Sequence, residues 1–208
     1  MAGEDDVVRL MTATLDSEYR IPILIGLATG MRRGEVVGLK WEDFSLERRT
    51  LTVRRSLCQL RGAGVIEKST KTGKARVVVL PENVADELAA HRESQQRLAA
   101  QPACDPPELD MHEYGGHRLS PDVLTKAFRR IACRIGLQIN YHGLRHTQAT
   151  MLIMAGVPAK VVSERLGHST IQITRDIYAH VLPHMQEQAA EVIGEILSRK
   201  PKIKLVGN

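Results

Sequence analysis

The chain is short of several features that would fix its class at once. It has three cysteines, Cys58, Cys104 and Cys133. They are odd in number and widely spaced, with no paired-cysteine metal spacing, and so fit reduced thiols in a cytoplasm. The N-terminal MAGEDDVVRL is acidic and lacks an apolar core of signal-peptide length. No uninterrupted apolar run is long enough to cross a bilayer. There is no internal repeat and no low-complexity linker. Nor is the charge strongly one-sided: 29 Lys and Arg stand against 24 Asp and Glu, for a net +5 and a pI near 9.3. That balance permits a polyanionic partner without requiring one. A soluble, intracellular chain is expected, with no membrane partner.

What is present is enough for a core. A length of 208 residues with 43% hydrophobic content allows one large domain or two small ones. Val7, Val8, Leu10 and Met11 recur at roughly helical spacing behind acidic residues, which predicts a helix from about Asp5 to Thr14. Ile21, Leu24, Ile25 and Ala28 predict a second from about Ser17 to Ala28, stopped by Gly30. A third, short helix is expected near Arg33, with Val36, Val37 and Leu39 inward and Trp41 just beyond.

From Thr50 the period changes to two. Leu51 and Val53, then Val65, then Val77 and Val79 read as short antiparallel strands separated by Gly62, Gly64 and Gly73, with KSTKTGKAR as the loop or hairpin tip between two of them. Pro81 ends the sheet. Glu82 to about Ala100 reads as a long amphipathic helix with Val84, Leu88 and Leu98 inward. Gln101 to Leu119, rich in Pro and Gly, reads as a surface loop. Ser120 and Pro121 then start a helix that runs to Ile135 and stops at Gly136. A last helix is expected from Met185 to Leu197, before the basic tail RKPKIKLVGN. The expected fold class is α+β, mainly α-helical, with a small antiparallel β-sheet inserted after the first helices.

The chemistry concentrates in Tyr141 to Val181, YHGLRHTQATMLIMAGVPAKVVSERLGHSTIQITRDIYAHV. Gly156 with Pro158, and Gly167 with Ser169, break it into three short helices. His142 and Arg145 share the first turn of one of them, where free N–H groups and the helix dipole favour an anion. An arginine fork and an imidazole there suit an oxyanion such as phosphate. Each residue alone has a blander explanation: Arg145 as a surface salt-bridge partner, His142 as a helix cap, Tyr178 as core behind Ile173 and Ile177, Lys71 as a turn lysine. His142 and His146 also have the spacing of two zinc ligands on a helix. Gly143 stands where zincins carry Glu, however, and Arg145 would repel a dication, so no metal is expected.

HGLRH, LGHST and DIYAHV together resemble the C-terminal signature of tyrosine recombinases, the phage integrase family. The resemblance extends to ATGMRRGEVVGLKW and STKTGKARVVVLP, five motifs in the family's order. It implies a tyrosine-recombinase catalytic domain over residues 1–200 without a separate N-terminal DNA-clamping domain, and a tail, 201–208, that docks on a neighbouring protomer. It departs from the family in CDPPELDMHEYGGHRL, acidic and proline-rich where an apolar strand-like segment is usual.

The same resemblance implies the site. Arg32 and Arg145 match the phosphate-binding arginines, Lys71 the general acid, with Lys68 and Lys74 as weaker candidates beside it. His142 and His168 match groups that bind the phosphate or carry protons, and Tyr178 the nucleophile. Glu35 matches a supporting acidic position, and Arg33, beside Arg32, is expected to be exposed. The implied activity is site-specific DNA strand cleavage through a 3′-phosphotyrosine and religation, with no cofactor, metal or ATP. Implied partners are double-stranded DNA recombination sites, a tetrameric synapse and an accessory DNA-bending or excision factor, in the cytoplasm of a bacterial host and on its nucleoid. Topoisomerase IB-like relaxation shares the chemistry, and a DNA-binding module without catalysis would share the fold.

Overall fold

The computed structural model describes residues 2–60, 62, 64–69, 75–99, 111, 113–114, 117–167, 190–191 and 193. Helices α1 (Glu4–Ala13), α2 (Arg20–Thr29) and α3 (Arg33–Val37) come first. Strands β1 (Phe44–Ser45), β2 (Thr50–Val53), β3 (Arg55–Leu60), β4 (Gly64–Ser69) and β5 (Arg76–Val79) follow, then the long helix α4 (Glu82–Ala99). A two-residue pair, β6 (Glu113–Tyr114) and β7 (His117–Arg118), precedes α5 (Pro121–Arg134), α6 (Tyr141–Met154) and α7 (Ala159–Leu166). No helix among the described residues is long and apolar enough to cross a membrane.

The helix at the centre is α2, RIPILIGLAT, apolar on all sides as a helix buried all round must be. Ile21 and Ile25 face a core shared with the sheet and α4, around Leu51, Val78 and Leu88. Ile23 faces the opposite way, into a second core with Leu10 of α1, Phe128 of α5 and Leu144 of α6. A third cluster joins α6 to α7 through Ala149, Ile153, Val162 and Leu166. Tyr141 locks α6 onto α2: its ring is buried, its hydroxyl donates to the Pro22 carbonyl at 2.5 Å, and Phe128 stands edge-on at 5.4 Å.

The ends of these helices follow the start and stop residues. Gly30 closes α2 in the left-handed region at φ 63°, where a side chain would be strained and would meet Gln148 and Leu166. The Ser120 side chain accepts from Val123 N–H, and Pro121 opens α5. The Asn140 side chain caps α6 by accepting from Gly143 N–H at 2.9 Å.

The strands form an antiparallel sheet, order β1-β2-β5, and a β3-β4 hairpin. Because β2 runs on into β3, Arg76 stands across from Val53 and Ser69 across from Arg55. The KSTKTGKAR segment is therefore not a hairpin tip between paired strands. β4 pairs with β3 and β5 with β2, on either side of Arg54, and residues 70–74 between β4 and β5 lie outside the described residues.

In three places the buried residues are not those that the sequence pattern picks out. Val78, across from Leu51, is in the core, while Val77 and Val79 are on the open face. Leu98 is 62% exposed, since the buried stripe of α4 ends with Gln95, which holds the indole N–H of Trp41 at 2.8 Å. Met111 in the supposed surface loop is fully buried and joins the first core, and β6 and β7 pair just after it. The expected last helix lies outside the described residues except at Ala190, Glu191 and Ile193, which are helical; the tail 201–208 lies outside them altogether.

Candidate active site

Two helix C-termini meet beside the start of α3, and their meeting explains how several arginines can crowd together. The last carbonyls of a helix have no partner within it and carry the negative end of its dipole, so they attract cations. At the end of α2, the Ala28 carbonyl accepts from Gln148 at 2.8 Å and from Arg165 at 2.9 Å, and the Gly30 carbonyl accepts from Arg145 at 2.6 Å. At the end of α7, the Arg165 carbonyl accepts from Arg76 at 3.3 Å, Leu166 from Arg145 at 2.8 Å, and Gly167 from Arg32 at 3.3 Å. Three consecutive carbonyls thus hold three arginines from three different elements.

Glu35 supplies the counter-charge. It is buried in the first turn of α3, where one carboxylate oxygen accepts the Arg32 backbone N–H at 2.9 Å and the other the Arg32 guanidinium at 3.0 Å. Arg76 grips the same carboxylate with two nitrogens, at 3.1 and 2.6 Å. Burial raises the Glu35 pKa and is the largest single influence. The hydrogen bonds and charge of Arg76, joined by those of Arg32, outweigh it and leave the pKa below the ordinary value of 4.5. A carboxyl so held contributes stability that is complete above 4.5 and is lost as pH falls from there through the lowered pKa. Wild type is therefore expected to melt higher than Glu35→Gln at pH 7, with the gap closing below pH 4.5; a gap constant with pH in thermal melts would contradict this.

Arg145 is the deepest of the set, with 4% of its surface exposed. Its Nη1 is used by the two carbonyls, whereas its Nη2 is buried without a hydrogen-bond partner among the described residues. Burial first, then the nearby Arg32 charge, lowers its pKa to about 9, so it remains a cation at neutral pH. This is not the surface salt-bridge arginine that HGLRH alone would suggest. His142 sits at the open mouth of the same helix, its ring 5.0 Å from that of His146. Partial desolvation, His146, Arg145 and Arg32 all lower its pKa from 6.5, so its imidazole is neutral at pH 7. The helix cap is Asn140, not His142.

The described residues thus bring Arg32, Glu35, Arg145 and His142 to one place, with two guanidiniums bound to a single carboxylate and a third, Arg145, close enough to feel its charge. A site with such an excess of positive charge and a spare buried donor suits an anion with several oxygens. Arg33 is turned away, partly exposed, and bound to Thr125 and Asp122 of α5. Lys68 is exposed on β4. Lys71, Lys74, His168 and Tyr178 lie outside the described residues. Arg76 was missed in the sequence, although it follows Lys71 by five positions and starts the strand that returns to the core.

Comparison with known proteins gives the class. The sequence profile described as the phage integrase family matches residues 3–185, and the chain belongs to that family. It is 32% identical over 213 residues to a tyrosine recombinase XerC-like protein of Caldanaerobacter subterraneus, covering 93% of this chain and 54% of that protein. Among solved structures, the crystal structure of XerA recombinase superimposes with a TM-score of 0.68 at 26% identity, over 90% of this chain and 64% of that one. The Tn1549 transposon integrase in complex with transposon right end DNA shares the fold, with a TM-score of 0.73 at 24% identity over 91% and 65%. The fold is that of the tyrosine recombinase catalytic domain. The chain spans about half the length of the curated relatives it matches.

Proposed function

We propose that this chain is the catalytic domain of a site-specific DNA recombinase that cuts and rejoins strands through a phosphotyrosine. The observation that carries the reading is Arg145: a buried cation with one nitrogen unsatisfied among the described residues, beside Arg32. Burying such a donor with nothing to bind is costly, and a phosphate oxygen would satisfy it. Arg32 and Arg145 hold the non-bridging oxygens and stabilise charge as the phosphorus becomes five-coordinate. His142, neutral at pH 7, has one ring nitrogen free to accept a proton and the other to donate a hydrogen bond.

The remaining roles rest on the sequence resemblance. The Tyr178 oxygen bonds to phosphorus while the bond to the 5′ oxygen breaks, and Lys71 gives that leaving oxygen its proton. His168 binds the phosphate or moves a proton. Of the four tyrosines, two are poorly suited to be the nucleophile. Tyr141 is unsuited because burial raises its pKa and its hydroxyl is committed to Pro22. Tyr19 also has a raised pKa, through burial and then Glu18. Because the ester keeps the bond energy, religation requires no ATP or metal. The full protein is read as acting on DNA recombination sites in a tetrameric synapse, in the cytoplasm and on the nucleoid, with an accessory bending or excision factor as a further partner.

A nicked suicide duplex, whose cleaved end diffuses away, tests the chemistry. Incubated with the protein in EDTA, it is expected to give a covalent protein–DNA adduct that survives SDS. Cleavage that appears only when a divalent metal is added would contradict the mechanism.

A further inference from the structure

Arg76 belongs to none of the motif positions that point to phosphate binding, yet it touches Glu35 and the end of α7, both of which hold those residues. It lies at the first position of β5, where the segment carrying Lys71 rejoins the long strand across from Val53. Its two outer nitrogens bind both oxygens of Glu35, and its Nε donates to the Arg165 carbonyl, one step along α7 from the carbonyl that holds Arg145. The Arg76 side chain packs against Gly167, so closely that a Cβ there would fall 2.8 to 2.9 Å from its Nη1, Cδ and Cζ. Gly167 is in the left-handed region at φ 66°, and its carbonyl is the one that Arg32 reaches. The next residue in the chain is His168.

We propose that Arg76 is a positioning residue. It divides the Glu35 carboxylate so that Arg32 is held but not consumed, and it fixes the last turn of α7 so that its carbonyls aim Arg32 and Arg145. Without Arg76, both oxygens of a buried carboxylate turn to Arg32 alone, drawing it into a closed ion pair and away from a phosphate. The end of α7 also loses one of its three arginine ties, and misplacing a binding group by about 1 Å can cost about a hundredfold in rate. Lysine keeps the charge but cannot grip two oxygens and a carbonyl in one plane. This proposal rests on the reading of Arg32 and Arg145 as phosphate-holding groups.

The test compares Arg76→Gln, Arg76→Lys and the double variant Glu35→Gln/Arg76→Gln with wild type. Single-turnover cleavage of prebound suicide duplex is read beside DNA affinity, melting temperature and amide hydrogen exchange in the last turn of α7. Arg76→Gln is expected to cleave roughly tenfold to a hundredfold more slowly, by analogy with other groups that hold binding residues in place. Its DNA affinity should stay within about twofold of wild type and exchange should be faster in that turn, with Arg76→Lys intermediate. The double variant, relieved of the unpaired carboxylate, should regain stability but remain slow. It decides the matter if Arg76→Gln does not fold. Full recovery of cleavage in the double variant would show that Arg76 acts only by countering Glu35 and would overturn its role at the end of α7, and a wild-type rate in Arg76→Gln would overturn the whole proposal. If wild type itself forms no adduct, the assigned chemistry fails. Exchange at the α7 end then still judges Arg76: faster exchange in Arg76→Gln supports the positioning role, and unchanged exchange overturns it.

Discussion

Arg145→Lys is expected to remain folded and to lose about a hundredfold to a thousandfold in the rate of strand cleavage, the scale of removing one preorganised donor from a site of developing charge. The wild-type guanidinium serves two ends at once: Nη1 ties the Gly30 and Leu166 carbonyls together, and Nη2 is left for a ligand. An ammonium in the same place is a single point of charge on a flexible stem. If it satisfies the two carbonyls, it cannot also reach the phosphate; if it reaches the phosphate, two buried carbonyls lose their donor. Each such loss costs about 1 to 3 kcal/mol, so the melting temperature should fall as well. Measuring the rate at saturating DNA, well below the melting temperature of the variant, separates the two effects. Cleavage within a few-fold of wild type would remove Arg145 from the chemistry.

The way this site is built explains which parts were legible in the sequence. Helix ends were readable because each depends on one or two neighbouring residues: Ser120 with Pro121, Gly30 and Gly167 are local signals with local causes. The motif residues Arg32, His142 and Arg145 were readable for a different reason, since they stand in recognisable short words. What stayed hidden depends on distant partners. Arg76 and Glu35 are 41 residues apart, and nothing near either says that they share a carboxylate grip. That Arg145 is buried and held by carbonyls, rather than exposed and paired with an acid, follows from where α2 and α7 end in space.

The strand errors have another cause. RVVVL is apolar at every position after Arg76, so period two cannot choose between Val78 and its neighbours; the register against Leu51 chooses. Met111 sits in acidic, proline-rich surroundings that read as loop, and a single inward side chain leaves no pattern to find. Leu98 kept the helical spacing of α4, but the core it would cover does not extend that far.

The largest effect of all is expected from Tyr178→Phe. The variant loses a single oxygen, which leaves DNA binding and folding intact on this account while removing the atom that forms the covalent bond. On the proposed reading that oxygen is the one atom of the chain that bonds to phosphorus, so cleavage should be lost with it. A phenol of ordinary pKa near 10 is a weak nucleophile at neutral pH, and on the proposed reading the Arg32 and Arg145 cations are what would favour its phenolate.

Identifying the residue joined to DNA is therefore the most direct measurement. The adduct from the suicide duplex is digested with protease and nuclease, and the modified peptide is located by mass spectrometry in wild type and in Tyr178→Phe. The phosphodiester linkage is expected on Tyr178 in wild type, with no adduct in the variant. An adduct that persists in Tyr178→Phe, or a linkage mapped to Tyr114 or to any other side chain, would contradict the account.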